Sequence, residues 1–178
     1  EPYVTIAKEL CAMPMQPTPE FCLRVLESGI AAKRSLMKDD AFEKGPAIVF
    51  EYGHTVGHAI EATGTRLNHG QCIYWGMRAA GDLARQLGVM SQSAYRQHSE
   101  LLDLLADVPL PQEKLDIRGL IKTLRHDNKR GHIESKVDHV PMVILKRIAS
   151  PVRTRGLPLV NVPLESIEMA IATLPFAV

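Results

Sequence analysis

The chain has 178 residues, of which 46% are hydrophobic, and this is enough to bury one core in a single domain, 1–178. Its 21 lysines and arginines balance 20 acidic residues, so the charge gives no reason to expect a nucleic-acid or membrane-surface partner. The three cysteines include no CxxC pair, which argues against a disulfide framework and favours the reducing cytoplasm. No apolar run reaches about 18 residues, which argues against a membrane span.

The first half of the chain is predicted to be helical. Thr18 and Pro19 form a helix start, because threonine is a good N-cap and proline fits the first helical position. The apolar spacing that follows predicts a helix to about Lys38, and Gly45-Pro46 ends this pattern. Two more helices are expected, each ended by a glycine: Ala47 to about Thr63, closed by Gly64, and Gly70 to Gly88.

The second half of the chain mixes helices with a small amount of strand. After the polar turn HDNKRG, the β-branched segment 136–152 predicts a short hairpin or an irregular strand pair. The expected fold class is a mainly α domain with a small β-hairpin near its end. The helices predicted here are Ser91–Ala106, Gln112 to about Arg125, and Leu164–Leu174.

The motif FEYGHTVGHAIE, residues 50–61, gives the strongest functional signal. On one helix, His54 and His58 would lie one turn apart, and Glu51 and Glu61 would share their face. Two such imidazoles can bind one divalent ion, or one can bind the ion while the other holds substrate. His69 comes 11 residues after His58, at the start of the next helix, and offers a further ligand.

The motif has two other readings. Thr55 stands where the HExxH zinc helix has its glutamate general base, so metal-assisted peptide hydrolysis is disfavoured. A histidine pair on an apolar helix is also often only hydrogen-bonded within a core. Gly53 and Gly57 favour a site over that reading, because each costs a helix about 1 kcal/mol relative to alanine and so indicates a close approach by backbone or ligand.

The remaining polar residues give weaker signals when taken alone. Lys33 and Glu43 flank a segment that is typical of a solvated helix end. Lys129 lies in a polar turn, although a lysine and an arginine beside a glycine can hold phosphate. Four histidines are predicted to lie at the surface or in turns: His98, His126, His132 and His139.

The order of these segments resembles the C-terminal half of the dehydroquinate synthase superfamily. The resemblance rests on AKRSLMKDDAFEKGPAIVFEYGHTVGHAIE, LNHG and HDNKRG, and it extends from about Pro19 to Ile148. Within the superfamily, the sequence is most similar to the 2-deoxy-scyllo-inosose synthases. These have glutamate at the position of Glu51, where dehydroquinate synthases have asparagine, and they share the HDNKRG turn, where dehydroquinate synthases usually have DKK.

The resemblance implies a subunit of two domains, with the active site between them, that forms a homodimer. The N-terminal domain of such a subunit is an α/β domain that binds NAD. This sequence contains no Gly-rich strand-turn-helix fingerprint. The chain is therefore predicted to be the C-terminal helical domain, 1–178, which binds metal and substrate and has the NAD-binding domain as its partner.

The resemblance also implies a role for each site residue. His54 and His69 match two ligands of a Zn²⁺ or Co²⁺ ion, whose third ligand is a glutamate of the NAD-binding domain. His58 matches a histidine that contacts substrate or relays a proton, and Glu51 matches an acid/base. The positions that match substrate-binding residues are Lys33, Glu43 and Lys129.

Two positions depart from the dehydroquinate synthase pattern. Ala47 stands where those enzymes have an arginine, which weakens any reading as a binder of a carboxylated substrate. Gln71 replaces the glutamate that commonly follows the second metal histidine. We therefore expect the metal site to lack an outer carboxylate at that position.

The implied reaction converts glucose 6-phosphate to 2-deoxy-scyllo-inosose during aminoglycoside biosynthesis. NAD⁺ takes a hydride from C4, which acidifies the C5 proton; phosphate leaves C6, the hydride returns, and an intramolecular aldol closes the ring. The metal acts as a Lewis acid. Two alternatives stay open: a dehydroquinate synthase that uses a seven-carbon carboxylated phosphate, and a non-catalytic helical fragment or partner.

Overall fold

The computed structural model describes residues 18–104, 108–111, 115–126, 129, 131–134 and 136–176. These residues form a mainly helical domain with two small sheets near its end, which confirms the predicted fold class. None of the described helices is long and apolar enough to cross a membrane. In chain order the elements are α1 Pro19–Met37, a 3-10 helix Pro46–Glu51, α2 His54–Glu61, α3 His69–Gln86, α4 Gln92–Asp103, α5 Ile117–Leu124, β1 His139–Met142, β2 Leu145–Arg147, β3 Ser150–Pro151, β4 Val160–Pro163 and α6 Leu164–Ala172.

Capping side chains set several helix starts. Thr18 Oγ1 accepts a hydrogen bond from the Phe21 N–H at 3.3 Å, so α1 begins as predicted. Ser91 caps α4 in the same way. Asp116 caps α5, which therefore begins at Ile117 and not at the predicted Gln112, a residue outside the described part of the chain.

The predicted helix 47–63 is two elements rather than one. A 3-10 helix ends at Glu51, Tyr52 leaves the helical conformation, and Gly53 has φ +83° as the N-cap of α2. Glu51 therefore does not lie on the same helix as the two histidines, and the prediction of a shared helical face was wrong. A left-handed backbone at this point suits glycine, which has no Cβ to clash with the next carbonyl group.

Helix α3 is the centre of the core and packs against α2, α4 and α6. Its contact with α2 is unusually close because glycines face each other. A Cβ on Gly76 would lie 2.0 Å from the Gly53 carbonyl oxygen, and one on Gly57 would lie 3.0 Å from the Cys72 carbonyl oxygen. The neighbouring helix thus fills the space that Gly53 and Gly57 provide. The sequence predicted a close approach by backbone or by ligand at these glycines, and the structure shows an approach by backbone.

The strands form two separate antiparallel pairs. β2 pairs with β3 within the segment predicted to form a hairpin, with Leu145 opposite Pro151. β1 pairs instead with β4, with Val140 opposite Val162, and β4 lies beyond the predicted segment. The prediction of one hairpin thus covers three of the four strands, and the later strand leads directly into α6.

The described cysteines behave as separate thiols. Cys22 is exposed and Cys72 is buried, and neither forms a disulfide. Burial raises the pKa of Cys72 to about 11, so this thiol stays protonated and apolar at neutral pH. Cys11 lies outside the described residues.

Candidate metal and substrate site

Three histidines from two helices meet at one point of the structure. His54 and His58 lie on α2, and His69 is the first residue of α3. One ring nitrogen from each lies within 4.8 Å of the others. The ring centroids of His54 and His58 are 5.2 Å apart, and each lies 5.6 Å from that of His69. The structure thus brings together the two predicted metal ligands and the histidine predicted to face substrate.

His54 is held at the start of α2 by its own local backbone. Its Nδ1 lies 3.3 Å from the carbonyl oxygen of Tyr52, which leaves Nε2 directed away from that contact. Partial burial lowers the pKa of His54 although the nearby Glu51 carboxylate opposes the shift. The imidazole is therefore neutral at pH 7, which is the form that binds metal.

His69 is held by a carboxylate and by the cap of its helix. Its Nδ1 lies 3.1 Å from Oε2 of Glu61, the last residue of α2. Asn68 and Gln71 form a reciprocal capping box that fixes the backbone at this point. Gln71 therefore serves the helix end, and Glu61 is the carboxylate in contact with His69.

The donor set suits a borderline divalent ion. Imidazole nitrogens are common ligands of Zn²⁺ and Co²⁺, and three of them within one small cluster can share an ion. An open fourth position would be available for a group outside this chain or for substrate. The cluster itself does not separate the ligand role predicted for His54 and His69 from the substrate role predicted for His58.

A buried ion pair lies next to the histidines. Lys129 Nζ donates to Glu51 Oε2 at 3.1 Å, with side-chain exposures of 2% and 17%. Partial burial favours a higher pKa for Glu51, but Lys129 and the two α2 histidines outweigh that effect and hold the pKa below its ordinary value. Glu51 is thus an ionised carboxylate close to the imidazoles, although it lies on a different helix from them.

The Glu51–Lys129 pair opens onto a small cavity that also reaches Glu43. This cavity has a volume of about 140 Å³. It is lined by Phe42, Glu43, Lys44, Ile48, Glu51, Lys129 and His132. Three of the predicted site residues therefore share one enclosure, and the HDNKRG turn, whose Asp127 and Arg130 lie outside the described residues, contributes its lysine there.

Asp40 shapes the loop that carries Glu43, and the sequence had suggested only a solvated helix end there. Its carboxylate accepts backbone hydrogen bonds from Lys44, Gly45 and Ala47 at 2.8–2.9 Å. Desolvation alone would raise the pKa of Asp40, but these three N–H donors lower it overall. Glu43 adopts φ +53° within this loop. An aspartate followed at four to seven residues by Lys-Gly-Pro-Ala was the available signal.

Lys33 lies at the edge of the candidate site. It is exposed on α1, and its Nζ lies 5.4 Å from the ring centroid of Phe50. Phe50 immediately precedes Glu51 in the 3-10 helix. The structure thus brings Lys33 to the edge of this element, and within the described part of the chain no hydrogen bond or ion pair joins Lys33 to Glu43 or Glu51.

A second missed feature connects α4 to the motif. The Tyr52 hydroxyl lies 2.8 Å from His98 Nε2, and His98 is only 5% exposed. The prediction that His98 lies at the surface or in a turn was therefore wrong. Burial lowers the pKa of His98 and raises that of Tyr52, so both groups are neutral at pH 7. The spacing Ala94, His98, Leu102, all buried on α4, was the signal that the sequence offered.

A larger cavity of about 510 Å³ shares His132 with the small cavity. Its other described lining residues are Gly131, Ile133, Glu134, Lys136, Thr154, Arg155, Leu157, Val160 and Asn161. None of the seven predicted site residues lines it. The small cavity beside the histidines therefore remains the candidate site.

Comparison with known proteins agrees with the resemblance seen in the sequence. A family model described as 3-dehydroquinate synthase C-terminal matches residues 5–130. A 2-deoxy-scyllo-inosose synthase of Micromonospora echinospora is 38% identical over 146 residues, which cover 82% of this chain and 37% of the relative. One from Streptomyces lividus is 38% identical over 144 residues, which cover 79% of this chain and 37% of the relative.

The fold is similar to solved structures of the same kind of enzyme. A crystal structure of 2-deoxy-scyllo-inosose synthase complexed with carbaglucose-6-phosphate, NAD⁺ and Co²⁺ matches with a TM-score of 0.77 and 28% identity, covering 96% of this chain and 53% of that one. A second structure of 2-deoxy-scyllo-inosose synthase gives a TM-score of 0.74 at 25% identity, covering 96% and 51%. This chain thus spans about half of the solved chains and 37% of the two curated relatives.

Proposed function

The chain belongs to the 3-dehydroquinate synthase C-terminal family, and from that premise we propose that it is the metal- and substrate-binding part of a 2-deoxy-scyllo-inosose synthase. The reaction is the conversion of glucose 6-phosphate to 2-deoxy-scyllo-inosose with loss of phosphate. The observation that carries this proposal is the ionised Glu51, paired with Lys129, beside a cluster of three imidazoles. The relatives from Micromonospora echinospora and Streptomyces lividus are both 2-deoxy-scyllo-inosose synthases.

His54 and His69 would hold the divalent ion, together with a carboxylate from an NAD-binding domain. Their Nδ1 atoms face a carbonyl and a carboxylate, so each ring can offer Nε2 as a ligand. When bound, the ion supplies Lewis acidity to the oxygen atoms of the sugar, and NAD supplies reversible hydride transfer. Both groups fit the reaction class, and Co²⁺ and NAD⁺ are present in the similar solved complex.

Glu51 would act as the base of the site. Because Lys129 and the α2 histidines lower its pKa, Glu51 is deprotonated at neutral pH and can accept a proton from the sugar. Lys129 would keep that carboxylate oriented and would compensate the negative charge of the phosphate. His58, on the same helix as His54, would relay protons or hold a hydroxyl group, and Lys33 and Glu43 would bind substrate from the neighbouring loop and helix.

Ala47 favours glucose 6-phosphate over the carboxylated substrate of dehydroquinate synthases. It is fully buried, and its N–H donates to Asp40 Oδ2 at 2.9 Å. An arginine at this position, as in dehydroquinate synthases, would have to fit within packed protein. Glucose 6-phosphate has no carboxylate and so does not need an arginine at this position. Ala47 therefore supports an inosose synthase over a dehydroquinate synthase.

An NAD-binding domain would complete the active site. The chain covers 37% of the length of the Micromonospora echinospora and Streptomyces lividus relatives, so most of each lies outside the matched part. Helix α1 presents Leu23, Leu26 and Ile30 with exposures of 56%, 62% and 65%, and none of its residues is buried. We assign this apolar face to the contact with that domain. The homodimer and the cytoplasmic location remain predictions.

Glu51→Gln tests the proposal in a protein that joins this chain to its NAD-binding domain. The amide keeps the size of the side chain and an acceptor for Lys129 but cannot take a proton at neutral pH. We expect turnover to fall by about 10²–10⁴-fold, with metal content unchanged. The assay measures phosphate released from glucose 6-phosphate with NAD⁺ and Co²⁺, and Glu168→Gln on the exposed face of α6 is the matched control.

The same assay separates the alternatives. Phosphate release from the seven-carbon carboxylated substrate, and not from glucose 6-phosphate, would identify a dehydroquinate synthase. Full turnover in the Glu51→Gln variant would remove this residue from the mechanism. Absence of turnover with either substrate in the joined protein would favour a non-catalytic role.

A further inference from the structure

Glu61 lies at a place where a carboxylate is electrostatically unfavourable. It is the last residue of α2, where the carbonyl end of the helix carries partial negative charge. Its contact with His69 is exposed, with side-chain exposures of 44% for Glu61 and 54% for His69. Even a fully charged pair with this exposure contributes little to stability. Folding alone therefore gives little reason for a glutamate at this position.

The contact has a clear effect on His69. This residue starts α3, after the connection 62–68, so its ring is not confined by a preceding helical turn. Glu61 Oε2, at 3.1 Å from Nδ1, accepts the proton of that nitrogen and fixes both the tautomer and the ring direction. Nε2 then carries the lone pair. The third nitrogen of the cluster is in this way supplied by a ring that Glu61 orients.

Gln71 is committed elsewhere, which makes Glu61 the carboxylate that serves this histidine. The Gln71 side chain accepts from the Asn68 N–H at 2.9 Å as part of the α3 capping box. His54, by comparison, is oriented by a backbone carbonyl within its own segment. The two predicted ligands thus have different outer partners, and only that of His69 is a side chain that can be replaced.

We propose that Glu61 is a positioning residue that directs His69 toward the metal ion. This inference rests on the proposed metal site. Loss of an outer partner of this kind typically costs 10–100-fold in metal affinity. Since the glutamate is unfavourable at its helix end, its replacement leaves the stability of the fold unchanged or slightly higher.

The test is titration of the 178-residue chain with Co²⁺ alone, followed by the visible absorption of the bound ion. Glu61→Gln is expected to weaken Co²⁺ binding by about 10–100-fold and to change the absorption spectrum, with no fall in thermal stability. Glu61→Asp, whose shorter side chain does not span the same distance, should fall between the two. The control is Glu134→Gln, which removes an exposed carboxylate that pairs with Arg155.

The outcomes separate the positioning role from the metal site itself. If His54→Ala abolishes Co²⁺ binding while Glu61→Gln binds as tightly as the unaltered chain with the same spectrum, the positioning role is overturned and the metal site stands. If the unaltered chain and His54→Ala give the same weak titration, both inferences fail. A loss of stability in Glu61→Gln that accounts for its loss of binding would assign Glu61 to the fold and overturn the proposal.

Discussion

The hydrogen bond between Tyr52 and His98 places a titratable group in the core next to the motif. His98 is 5% exposed, and a Cβ on Gly81 would lie 2.6 Å from its ring, so the imidazole fills its space fully. Burial lowers its pKa, and Arg78 reinforces this effect. A proton on His98 would place an additional positive charge in this packed environment, so the folded protein holds the ring neutral.

This burial predicts that the protein loses stability in mild acid. Because the pKa of His98 is lower in the folded state, the unfolded chain binds the proton first as the pH falls below about 6.5. The contribution is complete above that pH and is lost toward the folded-state pKa, with a slope of at most about 1.4 kcal/mol per pH unit. Urea unfolding between about pH 5 and about pH 8, a range that spans the ordinary histidine pKa, measures this dependence of the free energy of unfolding on pH.

His98→Gln is the variant that isolates this effect. Glutamine keeps a polar partner for Tyr52 and has no proton to gain, so its stability should depend less steeply on pH even where its absolute stability is lower. His126→Gln, at an exposed position, is the matched control and should keep the slope of the unaltered chain. Equal slopes for His98→Gln and the unaltered chain would contradict the prediction.

At the scale of single residues, the sequence predicted which residues meet better than it predicted their surroundings. The three histidines converge, and Glu51 lies near two of them, as expected from the motif. The partners that fix them are less predictable. Lys129 reaches Glu51 across 78 positions of sequence, and no local pattern encodes such a contact. Asp40 and His98 act through backbone contacts and packing that appear only in the folded chain.

At the scale of helices and strands, caps and glycines carried most of the predictive information. The threonine cap predicted the start of α1, and Gly88 predicted the end of α3. The break between Glu51 and His54 was missed because no proline marks it. Tyr52 ends the 3-10 helix, and Gly53, with φ +83°, starts α2. A glycine within an apolar run does not by itself reveal its conformation.

The close contact between α2 and α3 predicts a large effect of one added methyl group. In Gly76→Ala, the new Cβ would lie 2.0 Å from the Gly53 carbonyl oxygen and 2.7 Å from the Gly57 nitrogen. Both atoms are backbone, so the helices must separate. We expect the free energy of unfolding to fall by about 3 kcal/mol, measured by urea denaturation. Because His54 lies on α2 and His69 on α3, moving these helices apart should also lower the affinity for Co²⁺.

Gly29→Ala provides the matched control for this substitution. Gly29 lies within α1, and a Cβ there would meet nothing within 4 Å. The same change should leave stability unchanged or raise it by up to about 1 kcal/mol through helix propensity. If Gly76→Ala is as stable as Gly29→Ala, the close packing of α2 on α3 does not have the role assigned to it.

At the scale of the whole molecule, the core is built around α3 and leaves α1 outside. The contacts of α3 with α2, α4 and α6 enclose the apolar interior, whereas none of the residues of α1 is buried. A helix of 19 residues gains little from propensity alone and usually depends on packing. The amphipathic pattern of α1 predicted the helix correctly, but a single sequence cannot say whether its apolar face meets the same domain or another one.

The assignment of α1 to the NAD-binding domain predicts that the same substitutions act differently in two contexts. Leu26 and Ile30 are 62% and 65% exposed, so replacing both with glutamine should change the stability of the 178-residue chain alone by no more than about 0.5 kcal/mol. When the chain is joined to its NAD-binding domain, both side chains should become buried. The double substitution should then cost about 2 kcal/mol or more and lower turnover. Met169→Gln, which alters an exposed apolar residue of α6, should change neither protein. A double variant that is equally stable and active in both contexts would place the domain contact elsewhere on the surface.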